Sequence, residues 1–88
     1  MITLPAELDD FLNAHDFSRH TVRAIRSDLA KFIRWFTTAN GERFDLQRVT
    51  VRDVADFREH LAYVRRQSVS TVNRALVTLR RFLGHLAR

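Results

Sequence analysis

Residues 18–36 read SRHTVRAIRSDLAKFIRWF, and this stretch decides the fold. Val22, Ile25, Leu29, Phe32, Ile33 and Phe36 recur at steps of three and four. That is the period of one helix face turned to a core. Ser18 precedes the run as a candidate N-cap, and no Pro or Gly interrupts it. The predicted helix extends to about Thr38, where Asn40-Gly41 offers the positive φ that stops it.

The same periodicity appears on either side. A first helix is predicted from about Thr3 to His15, with Leu4, Leu8, Phe11, Leu12 and His15 at helical spacing. Thr3 can cap it, Pro5 suits its first turn, and Glu7, Asp9 and Asp10 lie near its positive end. From Glu42 to Val49, Phe44, Leu46 and Val49 alternate with polar residues, as in a short extended or turn-like connection. A third helix opens at Thr50, where Thr50-Val51-Arg52-Asp53 reads as a capping box with Asp for the usual Glu. Its stripe is Val54, Phe57, Leu61 and Val64, and it ends near Arg65-Arg66-Gln67. A fourth helix, capped by Ser68 or Ser70, turns Val72, Ala75, Leu76, Leu79, Phe82, Leu83 and Leu86 inward. Four helices in 88 residues predict one all-α domain covering residues 1–88.

The net charge is +5, and fourteen of the fifteen basic residues are Arg. Forked hydrogen bonding to phosphate or guanine favours Arg over Lys. Residues 1–17 hold four acids and no base, whereas residues 18–36 hold Arg19, Arg23, Arg26, Lys31 and Arg34 against Asp28 alone. Residues 68–88 hold Arg74, Arg80, Arg81 and Arg88 and no acid. At 100° per residue, Arg19, Arg23, Arg26 and Arg34 share one flank of the second helix, and Asp28 falls across the stripe from them. On the fourth helix Ser70, Arg74, Arg81 and Arg88 form a row opposite the core, with Arg80 apart. Thr21, Ser27, Ser70, Thr71 and Asn73 add polar groups that could reach base edges. Charge alone leaves three readings open: duplex DNA, an acidic protein partner, or an ordinary solvated face.

Two blocks carry a family resemblance. The second helix reads Phe17-Ser18-Arg19-His20-Thr21, then Ser27-Asp28-Leu29, Phe32 and Trp35. The fourth reads Ser70-Thr71-Val72-Asn73-Arg74-Ala75-Leu76, then Leu79-Arg80-Arg81-Phe82. Together, in this order and spacing, they resemble the N-terminal core-binding domain of tyrosine recombinases, the phage-integrase or Xer/Cre-type enzymes. Ile25 stands where many members have Tyr.

The resemblance implies a four-helix orthogonal bundle of the SAM-like type. It implies that the domain grips a recombination half-site in double-stranded DNA through its second and fourth helices, during DNA integration and recombination. By position the contacts are Ser18, Thr21, Arg23, Ala24 and Ser27, with Ser70, Thr71 and Arg74; charge geometry adds Arg19, Arg26 and Arg81. In the family a catalytic domain follows, with an Arg-His-Arg set, a Lys and a nucleophilic Tyr; no such set is found here. The lone Tyr63, beside Leu61 and Val64, is expected to pack rather than react. The chain is therefore expected not to be an enzyme by itself and to need no cofactor. Family members also make protomer contacts in a recombinase tetramer, for which the acidic first helix is the candidate, while the isolated domain is expected to be monomeric. The alternative is a SAM-like protein–protein interaction module, which would need a partner with a matching acidic face.

Other chemistries find little footing. His15, His20, His60 and His85 show no i, i+4 pairing, so no metal site is expected. Asp16, Ser18 and His20 hold the residue types of a hydrolase triad, but adjacency is not triad geometry and Ser18 already has a cap to form. There is no cysteine, so neither a disulfide nor a thiolate metal site can form. No apolar run approaches the ~20 residues of a membrane span, and Met1-Ile2-Thr3-Leu4-Pro5 carries no basic residue, so no signal peptide is expected. A cytoplasmic location is expected, associated with the nucleoid when DNA is bound. Trp35 and the phenylalanines are read as core and rim rather than as base-stacking platforms.

Overall fold

The computed structural model describes residues 5–41 and 43–86. It contains helices α1 (Ala6–Asn13), α2 (Arg19–Asn40), α3 (Val51–Glu59) and α4 (Val69–Leu86). A 3₁₀ turn, Leu46–Arg48, lies before α3, and a π-helical turn, His60–Val64, comes after it. No strand occurs among the described residues. The expected cap at Thr3 and the packing of Leu4 lie outside the described residues, as does Arg88.

Helix boundaries follow local chemistry. Ser18 accepts from the Thr21 N–H at 3.1 Å and opens α2. Gly41 closes it at φ 63°, a left-handed conformation that Gly adopts without a Cβ clash. The connection after it forms no strand: Asp45 accepts from the Gln47 N–H at 3.0 Å and winds the chain into the 3₁₀ turn. Thr50 and Asp53 form the reciprocal capping box predicted for α3. Of the two serines offered for α4, Ser68 accepts from the Thr71 N–H at 3.2 Å.

One hydrophobic core joins all four helices, centred on α2 and α4. Phe11 of α1 meets Phe17, Phe82 and His85 at one end. Phe32 of α2 meets Trp35, Phe36, Phe44 and Phe57 at the other. Phe11, Phe32, Phe36, Phe57 and Phe82 are fully buried, each stabilising by roughly 2–3 kcal/mol through apolar transfer. Ile25 is also buried.

Two sequence-based expectations are not met. Tyr63 is not packed: it is 78 % exposed. Val64 is 69 % exposed rather than part of the stripe. Both lie in the π turn, which adds a residue to the helical repeat and rotates the residues after Leu61 off the core face. The turn ends at Arg66, a non-glycine residue at φ 51°, and the Gln67 N–H donates back to the Leu61 carbonyl at 3.0 Å. Asp28, which the helical wheel sets across the stripe from the α2 arginines, is buried, at 2 % exposure.

Candidate nucleic-acid interface

Asp28 is buried because α4 supplies its partner. Arg74 donates to it twice, from Nε to Oδ2 at 3.2 Å and from Nη2 to Oδ1 at 2.9 Å. The Thr78 hydroxyl adds a longer donor at 3.4 Å. A buried carboxylate without partners would be costly, and a bidentate guanidinium removes most of that cost. The carboxylate's hydrogen bonds, then its charge, raise the Arg74 guanidinium above its already high ordinary value. Arg74 thus remains a cation at any working pH.

Around this pair lies a groove of about 440 Å³ between α2 and α4. Thr21, Ala24, Arg74 and Arg81, four of the predicted contacts, line it together. The Arg81 guanidinium sits 5.2 Å from the centre of the Phe17 ring, a cation–π contact that steadies it at the rim. A smaller pocket, between the second half of α2 and the end of α3 with its π turn, gathers Lys31, Arg34, Trp35, His60, Arg65 and Gln67. Because Asp28 meets Arg74 while the Lys31 region meets Gln67, α2 and α4 run in opposite senses along this seam. From Thr21 to Trp35 the seam spans about 21 Å at 1.5 Å per residue. Among the described residues Asp28 is the one acid lining either cavity, and Arg74 already neutralises it.

The remaining predicted contacts are dispersed. Ser18 and Thr71 serve the caps, the Ser18 hydroxyl donating to Thr21 Oγ1 and the Ser68 hydroxyl to Thr71 Oγ1, each at 2.9 Å. Arg26 points to α1 and pairs with Asp9 at 3.0 Å. Arg19, Arg23, Ser27 and Ser70 are exposed, and among the described residues no acid pairs with Arg19 or Arg23. Sequence reasoning did not place Lys31 or Arg65 at the interface. Lys31 stands seven residues, two helical turns, beyond Ala24, and that spacing was the available signal. Arg65 had none, because it comes after the π turn.

A family model, the phage integrase N-terminal SAM-like domain, matches residues 8–88. The chain belongs to that family. No curated protein and no solved structure matches it. In this integrase SAM-like domain the two blocks behind the resemblance touch: Asp28 of the first holds Arg74 of the second.

A larger groove of the SAM-like domain, about 620 Å³, lies between α3 and the end of α4. It is mainly apolar, with Leu46, Val54, Leu76 and Leu83 inside and Arg58 and Arg80 among its lining residues. Among the described residues lining it there is no carboxylate or histidine. His15 and His85 approach to 6.1 Å between ring centroids, but among the described residues no group of three metal-ligating side chains assembles. Trp35 packs on Phe57 and His60 at the rim of the core. Among the described residues no helix is long and apolar enough to cross a membrane.

Proposed function

We propose that this chain is the DNA-binding module of a site-specific tyrosine recombinase or integrase, holding a duplex half-site along the α2–α4 seam. The observation that supports this reading is the charge of two cavities along α2: Arg74 and Arg81 line the one shared with α4, Lys31, Arg34 and Arg65 line the other, and among the described residues their single acid is buried and paired. Duplex DNA presents about one negative charge per 1.7 Å of axis, so a seam about 21 Å long meets several phosphates at once. Arg23, Ser27 and Ser70 extend the same outward arc, and Arg19 and Ser18 stand at its α2 end. Thr21, Ala24 and Thr71 supply small and hydroxyl-bearing surfaces at which a base edge can approach. Arg26, tied to Asp9, is the weakest of the predicted contacts.

In this reading the strand-transfer chemistry belongs to a catalytic domain of the parent recombinase, and the chain alone grips without cutting. An acidic protein partner is the rival. Fluorescence anisotropy with a labelled mixed-sequence duplex separates the two. Arg23→Ala and Arg81→Ala are expected to weaken binding about five- to tenfold each, whereas Arg52→Ala on α3 leaves it unchanged. Equal losses at all three positions would mean that net charge, and not this seam, drives the binding.

A further inference from the structure

We propose that Asp28 holds Arg74 as a fixed two-pronged donor for DNA, a positioning role that rests on the DNA-binding reading above. A guanidinium carries five N–H groups in a planar fork. Asp28 engages one edge, taking the Nε–H and one Nη2–H. Three N–H groups remain, and one from each η nitrogen points the same way along the end of the fork. The acid lies inside, its side chain 1 % exposed, while the Arg74 side chain is 54 % exposed. The occupied edge therefore faces the core, and the free edge faces the groove shared with Thr21, Ala24 and Arg81.

That free edge matches two acceptors set side by side. DNA offers two such pairs: two oxygens of one phosphate, or O6 and N7 of a guanine in the major groove. A long surface Arg normally gives up rotamer freedom when it binds. Arg74 has already given it up on folding, because Asp28, which also accepts from the Thr78 hydroxyl, fixes the far edge of its fork. Lysine cannot substitute: one ammonium cannot satisfy the carboxylate side-on and still present a planar pair of donors outward. Asp28 thus acts on DNA only through Arg74.

The test compares the wild-type chain with Asp28→Asn and Arg74→Lys, each checked for helical circular dichroism. All three are used to select from a pool of random-sequence duplexes, and binding to the selected duplex is then measured. Both variants are expected to bind roughly tenfold more weakly, the low end for one bidentate contact. If the acceptor is guanine, one G·C position selected by the wild type becomes degenerate in both variants, and 7-deazaguanine there reproduces the loss. If it is phosphate, the selected sequence is unchanged and one neutral methylphosphonate linkage erases the difference between wild type and variants.

Side-chain ¹⁵N–¹H spectra of the wild type give a second reading that needs no variant to fold. The Arg74 Nε–H signal is expected to keep its free-state position when duplex is added, while the η signals move. Folded variants with wild-type affinity and selection would overturn the proposal. So would an Nε–H signal lost on DNA addition, since the fork would then have opened. A wild-type chain that binds no duplex would instead overturn the DNA-binding reading and this inference with it.

Discussion

Arg74 has two duties that a single alanine substitution mixes. It balances a buried carboxylate and it offers donors to the groove. Arg74→Ala strands Asp28 with only the Thr78 hydroxyl. Removing one partner of a fully buried pair costs about 3–5 kcal/mol. With the guanidinium half exposed and screened, about 2 kcal/mol is expected here. For a domain of this size that lowers Tm by roughly 10 °C. Arg23→Ala, at an exposed position without an acid partner, is expected to leave Tm within about 2 °C of wild type. Thermal melts of the two variants check this, and equal Tm values would mean the Asp28 pair contributes nothing. The sequence showed both residues but not their meeting. The helical wheel sets Asp28 beside the apolar stripe, and its partner lies 46 positions away. No periodicity reports a contact of that kind.

At the scale of the elements, local chemistry was legible wherever a side chain closes its own backbone. Ser18, Thr50 and Gly41 could be read as caps and stops because their partners lie within four residues. Ser68 and Ser70 could not be separated, since both precede the same apolar run. The end of α3 was misread for a different reason. No Pro or Gly marks the π turn, so the regular period was carried through to Val64 and its neighbour Tyr63. Ser68 is the cap that sets where α4 begins and hence where Arg74 stands. Ser68→Ala is expected to cost about 1 kcal/mol of stability, while Ser70→Ala costs little. Denaturant titration of the two variants checks the assignment, and the reverse order would move the start of α4.

Across the whole molecule, the fold class was legible because four amphipathic stripes leave one way to bury them, around a shared core. The arrangement of charge was only half legible. Helical wheels gave each helix its basic flank, but not which flanks meet. In three dimensions Thr21, Ala24, Arg74 and Arg81 share one groove, Lys31 and Arg65 line a second pocket between α2 and the π turn, and Arg26 turns away to α1. Asp9 of α1 is engaged by Arg26, which leaves Glu7 and Asp10 as the exposed acids of that helix without a salt bridge to it.

The exposure of Tyr63 sharpens the question of chemistry, because its hydroxyl is sterically open. Catalysis by a tyrosine needs an activating set around it, and Tyr63 lies outside both seam cavities. Incubation with supercoiled DNA is expected to leave no covalent protein–DNA adduct. A phosphotyrosine linkage at Tyr63 would contradict the division between gripping and cutting.

In the proposed reading, a basic α2–α4 seam lies along the DNA backbone. Its most direct test is the salt dependence of duplex binding by the wild-type chain. About four to five phosphate contacts predict that log K falls against log salt with a slope near −4. Between about 50 and 200 mM salt, affinity should then drop by roughly two orders of magnitude or slightly more. A slope near zero, with binding intact, would contradict the account.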